Sequence, residues 1–245
     1  MIKAIFENVS NYGKALGAIP RMGLWKYVFI PVVISIFTGG FIFFGAFKAA
    51  GTLDSFLLAK YPFEFGRTVF EKVVHFSGSL VVVSIGFILY KNLIMILSSP
   101  FMSILSEKVE KAMMGTTDFS ISRGRFIADL IRGVRIAVRN IFRELTLTVL
   151  LLIIGLIPGI AFISTPLIVL VQGYYAGFGN MDYTLERHLG YRDSVRFVQR
   201  NRGIAIGNGL VFLGLLLLGV GFLIAPSLGT IAATMGTVKR LRGNT

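Results

Sequence analysis

The stretch LTLTVLLLIIGLIPGIAFISTPLIVLVQGYYAGFGNM, residues 145–181, carries no charge over 37 residues and is broken by Pro158 and Pro166. One straight helix needs about 20 residues to cross a hydrocarbon core, and two need about 40 plus a turn. Setting aside roughly four residues for a turn leaves two arms of about 16, or about 24 Å of helix each. The stretch is too long for one span and slightly short for two. It predicts a hairpin whose arms cross only part of the bilayer. Residues 203–238 repeat the pattern: they are uncharged for 36 residues and broken by Pro226 and several glycines.

The charges between these runs decide the orientation. Residues 182–202 hold Arg187, Arg192, Arg196, Arg200 and Arg202 against three acids. If each apolar run were a single kinked span, this short basic loop would face outward, against the positive-inside bias. With two hairpins, the N-terminus, residues 106–144, residues 182–202 and the tail Lys239, Arg240 and Arg242 all face the cytoplasm. Both termini are therefore expected to face the cytoplasm, in a multi-pass membrane protein.

Composition agrees. The chain is 54% hydrophobic and 15% charged, with mean hydropathy +0.75, whereas soluble domains run near a quarter charged. The net charge of +13 comes from basic residues set between apolar runs. That placement points to positive-inside topology and a bilayer with anionic headgroups. Nucleic acid is not expected, because no Lys/Arg tract is interleaved with aromatics in a polar domain. The absence of Cys excludes disulfides, thiol catalysis and Cys-based metal sites.

The rest of the chain completes one membrane domain, 1–245. Residues 1–20 are amphipathic, with Ile2, Ile5, Phe6 and Val9 on one stripe and Lys3, Glu7 and Lys14 off it, which suits an interfacial helix. Residues 27–47 form a first span of 21 uncharged residues. This is longer than the apolar core of a signal peptide, and no small-x-small site follows it, so the span is expected to be retained. Residues 48–72 are nearly balanced in charge and read as an external loop. Residues 73–105 form a second long span interrupted only by Lys91, which either snorkels or pairs inside the protein. The segment SSPFMSILSEKVEKAMMG then turns the chain. Residues 106–144 follow as basic cytoplasmic helices, where Arg132, Arg135, Arg139 and Arg143 recur at helical spacing opposite Ile127, Leu130, Ile131, Val134 and Val138. The hairpins are 145–181 and 203–238. The expected fold is thus an all-α integral membrane protein of two long transmembrane helices, two Pro/Gly-broken, partly penetrating helical hairpins and interfacial amphipathic helices.

One segment raises a chemical question. RMGLWKYVFIPVV, residues 21–33, sets Arg21, Gly23 and Lys26 where the first span begins. The first N–H groups of a helix have no intrahelical partners, and its dipole favours an anion there. Gly23 allows close approach, and Lys26 with Arg21 adds charge. The competing reading is an interfacial collar of Trp25, Tyr27, Arg21 and Lys26. Elsewhere, Asp182, Glu186 and His188 lack the further ligands of a metal site; the better reading is first-turn acids that complement a helix dipole, with Glu186 and the following arginines paired at the interface. His75 reads as structural or interfacial. Gly207, Gly209, Gly214, Gly219, Gly221, Gly229 and Gly236 read as close helix packing or as exposed backbone along a path. No phosphate loop, nucleophile elbow or His-Glu-x-x-His occurs, so no cofactor, no metal and no enzymatic activity is expected.

Four segments in order resemble the CysZ-type sulfate permeases over about 220 residues. GLWKYVFIPVVIS is similar to that family's Gly-Leu/Ile-Arg-Arg entry into the first span. SPFMSILSEKVE resembles its Pro-Phe-x3-Leu-x-Glu-x-Val/Leu-Glu segment. GLIPGIAFISTPLIVLVQGYYAGFGNMDYTLER resembles its Ile-Pro-Gly hairpin ending in Asp-Tyr, and APSLGTIAATMGTV resembles its closing hairpin. The resemblance implies a homo-oligomeric inner-membrane protein that moves sulfate, or a related small oxyanion, into the cytoplasm for cysteine synthesis. Channel-like passage fits the lack of a nucleotide-binding motif. The resemblance also implies anion binding at Gly23, Leu24, Trp25 and Lys26. Two departures stand out: Trp25 and Lys26 replace the two arginines, and Gly219 or its neighbours match the first Pro of the last hairpin. Trp carries no charge, and Lys lacks the planar fork that meets two oxygens at once. The alternative is a non-transporting membrane scaffold or lipid-interacting protein of the same fold.

Overall fold

The computed structural model describes residues 2–59, 67–115, 126–155, 157, 160–218 and 221–243, and every regular element among them is an α-helix. The helices are α1 (Ile2–Arg21), α2 (Trp25–Ala59), α3 (Arg67–Met114), α4 (Phe126–Gly155), α5 (Ala161–His188), α6 (Tyr191–Arg200), α7 (Arg202–Leu217) and α8 (Gly221–Arg242). Among the described residues, three stretches are long and apolar enough to cross a membrane: Trp25–Ala49, Val82–Met114 and Ala161–His188. The protein is an all-α membrane protein. Length and apolarity admit a third candidate span, α5, beside the two expected from sequence.

α1 is amphipathic in both directions. Ile2, Phe6, Val9 and Leu16 form an exposed stripe at helical spacing, suited to lipid. The other face, with Asn8, Asn11, Tyr12, Ala15 and Ile19, is buried against α7 and α8. There the Tyr12 hydroxyl donates to the Asn208 carbonyl at 2.8 Å.

α2 and α3 pack along each other, and both outrun the sequence reading. α2 continues past Phe47 to Ala59, and α3 already begins at Arg67. The loop expected over 48–72 is therefore helical at both ends. Phe37, Phe41, Phe44 and Phe47 are exposed, an aromatic face that water would not tolerate over this extent and lipid does. The turn expected in SSPFMSILSEKVEKAMMG is also displaced. α3 runs unbroken through Pro100 for 48 residues and stops at Gly115, whose φ of 70° is readily reached only by glycine. A proline inside a helix is tolerated where neighbouring elements hold the segment. Here Ser103, Ser106 and Glu110 bind side chains of α5.

The two apolar runs become helix pairs. α4 packs against α5, and α7 against α8. Pro158 and Gly219 lie outside the described residues. α4 is one helix from the basic region into the first apolar arm, so the boundary drawn at residue 144 has no structural counterpart. The arginine stripe also faces differently from a free interfacial helix. Ile131, Val134 and Val138 are exposed, whereas Arg132 binds Asp182 of α5. Arg135 and Arg139 lie over the rings of Tyr191 and Phe178, at 4.8 and 5.8 Å.

Glycine sets the closest helix contact. A Cβ on Gly177 of α5 would lie 1.8 Å from the Ala205 carbonyl oxygen, and one on Gly209 of α7 would lie 1.7 Å from that of Gly173. Gly173-x3-Gly177 and Ala205-x3-Gly209 are therefore facing small-residue ridges that let two backbones touch. Gly207 admits the backbone of Ile5, Gly229 the amide of Asn180, and Gly236 the amide of Asn8. The packing reading holds for these positions, while Gly214 has nothing within 4 Å.

Candidate functional site

The segment Arg21–Lys26 is the turn between α1 and α2. Gly23 has φ +62°, the left-handed conformation that ends many helices. Its N–H donates to the Pro20 carbonyl at 3.3 Å, and the Leu24 N–H donates to that of Ile19 at 3.0 Å. This is the paired Schellman pattern, completed by Leu24 and Ile19 in one buried cluster. Leu24, 1% exposed, anchors the turn; its N–H is spent on the Ile19 carbonyl, so it offers an anion no free backbone donor. Gly23→Ala should lower the thermal midpoint by the equivalent of about 1 kcal/mol, because alanine pays for the left-handed φ without meeting any neighbour. A thermal scan in detergent checks this.

The Leu24 carbonyl accepts the first bonds of α2, from the N–H groups of Tyr27 at 2.9 Å and Val28 at 3.3 Å. The N–H groups of Trp25 and Lys26 therefore stand in the first turn without a carbonyl of their own helix to meet. No Cβ at Gly23 covers the approach. The Trp25 ring is 55% exposed and packs at 6.4 Å from Phe29, away from the core. Lys26 and Lys108 place their ammonium groups 5.5 and 5.4 Å from the centre of the Tyr27 ring. Arg21 is exposed in the last turn of α1, where a cation also complements that helix's dipole.

Sequence reading placed Gly23, Leu24, Trp25 and Lys26 together because they are consecutive. It did not find Lys108, which is 82 positions beyond Lys26. Its signal is the antiparallel pairing of α2 with α3, which brings SEKVE beside the first turn of α2.

A second set of polar contacts joins α3, α4, α5 and α6. The two guanidinium ends of Arg132 meet the two carboxylate oxygens of Asp182 at 3.2 and 3.0 Å, and one also reaches Ser194 at 2.5 Å. Arg187 binds Glu110 at 2.7 and 3.0 Å, Ser106 at 2.8 Å and the Tyr183 carbonyl at 2.6 Å. His188 meets the other oxygen of Glu110 at 2.5 Å, and Ser103 donates to Glu186. The first-turn reading of Asp182, Glu186 and His188 is thus corrected. They lie in the last turns of α5, where acids oppose the dipole, and cross-helix partners hold them there. The side chain of His75 lies outside the described residues.

Deeper in the fold, Lys91 of α3 and Glu144 of α4 are ion-paired, both at 0% exposure. Lys91 pairs inside the protein rather than snorkelling. Its Nζ also reaches the Gln172 carbonyl of α5 at 3.4 Å, and the Asn92 amide stands 3.5 Å from the second oxygen of Glu144.

A family profile described as "Sulfate transporter CysZ/Etoposide-induced protein 2.4" matches residues 11–226. Similar curated proteins carry the description "Sulfate transporter CysZ". The one from Pseudomonas paraeruginosa strain PA7 is 27% identical over 218 residues, 88% of each chain. The one from Pseudomonas aeruginosa strain PAO1 is 26% identical over the same length and coverage. The one from Pseudomonas fluorescens strain Pf-5 is 32% identical over 135 residues, 54% of each chain.

Proposed function

From the premise that the chain belongs to the sulfate transporter CysZ/etoposide-induced protein 2.4 family, we propose that it carries sulfate, or a related small oxyanion, across the inner membrane into the cytoplasm. The observation that carries this reading is the turn at Gly23. It leaves the N–H groups of Trp25 and Lys26 at the start of α2 without a carbonyl of their own helix to meet, with the ammonium groups of Lys26 and Lys108 both near the Tyr27 ring. Backbone donors at a helix N-terminus suit a compact oxyanion. Lys108 supplies the second positive charge that Trp25 does not, and Arg21 raises the local potential at the rim. Leu24 fixes the turn from below.

Two lysines bind as point charges, without the bidentate fork of arginine, so retention should be weaker and more salt-sensitive than at an arginine pair. That suits passage, which needs a site easy to leave. Passage is channel-like, in keeping with a sequence that has no nucleotide-binding loop.

Both termini are proposed to face the cytoplasm. Glu7, near the start of α1, pairs with Lys239 and Arg240 near the end of α8, so the beginning of the first helix and the end of the last lie together. α7, at 16 residues, measures about 24 Å and falls short of a hydrocarbon core of about 30 Å, in support of a partly penetrating hairpin. The assembly is proposed to be a homo-oligomer in anionic lipid.

The test is equilibrium binding of labelled sulfate to the purified protein in detergent, beside a Lys26→Gln/Lys108→Gln variant. Wild type should bind, with affinity falling as salt rises, and the variant should lose about tenfold or more for two charge-assisted contacts. Equal binding by both proteins would remove the turn from the anion site.

A further inference from the structure

Resting on the anion-transport reading above, we propose that Lys91 is a second anion-binding residue, in the middle of the membrane, and that Glu144 is the counter-ion it exchanges for the passing anion.

The depth comes from the pairing of α2 with α3. Lys108 lies over Tyr27 in the first turn of α2. A Cβ on Gly39 would touch the Tyr90 ring at 3.5 Å, and one on Gly86 would meet Ile42 and Ala46 at 3.6 and 3.9 Å. Residue 90 of α3 is therefore level with residue 39 of α2. From Tyr27 to Gly39 is about 18 Å along the helix, near the middle of a hydrocarbon core about 30 Å thick. Lys91, next to Tyr90, sits a half-membrane away from the turn at Gly23.

Its surroundings have more polar capacity than the resting pair uses. The ammonium has three N–H donors. Glu144 and the Gln172 carbonyl take two of them, and the third has no partner among the described residues. Among the described residues, the second carboxylate oxygen of Glu144 has only the long contact from Asn92, and one turn further along α4 the buried Thr148 hydroxyl has no hydrogen-bond partner. Asn92 and Thr148 are thus placed to receive the carboxylate when Lys91 turns to another anion.

Polar steps also lie between the two sites. The hydroxyls of Ser98 on α3 and of Ser227 and Thr230 on α8 are buried and have no partner among the described residues. Ala225 shares a cluster with Ile94 and Met95, and Ile231 shares one with Leu24, Met102 and Leu105. Ser227 and Thr230 therefore stand at the depth of Ser98, between Lys91 and the turn at Gly23. Donor hydroxyls there can replace part of an anion's hydration shell.

A structural role alone explains the pair poorly. An apolar pair of similar volume is as stable as a buried ion pair or more so, and ionisable groups kept within a membrane mark ion pathways. A lysine held by a removable carboxylate attracts an anion without trapping it, because the site is neutral when empty.

The experiment is labelled sulfate uptake into proteoliposomes by wild type, Lys91→Met/Glu144→Leu and Lys91→Arg, each with its thermal midpoint measured in detergent. The double variant should keep the wild-type midpoint or exceed it while uptake falls about tenfold or more, the worth of one charge-assisted contact. Lys91→Arg should retain more uptake than the double variant. Wild-type uptake matched by a folded double variant overturns this inference alone. No uptake by folded wild type overturns the sulfate reading, and this inference with it.

Discussion

Gly177→Ala and Gly209→Ala should each lower the thermal midpoint of the detergent-solubilised protein by the equivalent of about 3 kcal/mol. A single methyl group on either residue would overlap a backbone carbonyl of the facing helix, at 1.8 Å and 1.7 Å. Backbone cannot rotate aside as a side chain can, so α5 and α7 must separate along their whole contact. That contact also orders their neighbours. Asn180 of α5 donates to Asn208 of α7 at 2.8 Å, and Asn208 donates to the Gly229 carbonyl of α8 at 2.9 Å. Separation of α5 from α7 would break the Asn180–Asn208 bond within the bilayer, where no water replaces it. The control is Gly214→Ala, which meets nothing within 4 Å. It should be neutral, or stabilise by about 0.5–1 kcal/mol through helix propensity. Equal midpoints for Gly177→Ala and Gly214→Ala would contradict the packing described for α5 and α7.

Glu144→Leu alone should be the most damaging change to a charged residue, at about 3–5 kcal/mol. It leaves the Lys91 ammonium at 0% exposure with the Gln172 carbonyl as its acceptor and no carboxylate to balance its charge. The cost belongs to the stranded charge rather than to the lost bond. Removing the charge as well, in Lys91→Met/Glu144→Leu, should therefore recover most of the loss. The two substitutions are expected to be strongly non-additive, as residues of one buried pair are. Thermal midpoints of the two single variants and the double variant measure this directly. A double variant as unstable as Glu144→Leu would mean that the pair matters through its shape and not its charge.

Much of the architecture was legible in the sequence because lipid imposes lengths. A 37-residue uncharged run with a central proline admits few solutions, and the helix pair α4–α5 follows from counting. The interfacial stripe on α1 was legible from its period. Helix ends were not. α3 continues through polar residues because cross-helix partners hold those residues. Ser103, Ser106 and Glu110 read as the start of a loop until Arg187 and Glu186 are brought beside them. The same limit hid Lys108 and Glu144. Each is an ordinary charge in a polar-looking segment, and each matters through a helix far away in sequence. The arginines of α4 show the opposite error. Their period was visible, but whether they face headgroups or the protein depends on Asp182, Phe178 and Tyr191. For the candidate site, consecutive residues gave the turn and its backbone donors, while the second cation required the fold.

Uptake of labelled sulfate into proteoliposomes tests the central claim most directly, with wild type beside Lys26→Gln/Lys108→Gln and beside empty vesicles. Wild type should exceed empty vesicles, and the variant, folded and inserted to the same extent, should fall by about tenfold or more. Wild-type uptake no greater than that of empty vesicles, with the protein shown to be folded and inserted, would contradict the account and favour a membrane scaffold built on the same helices.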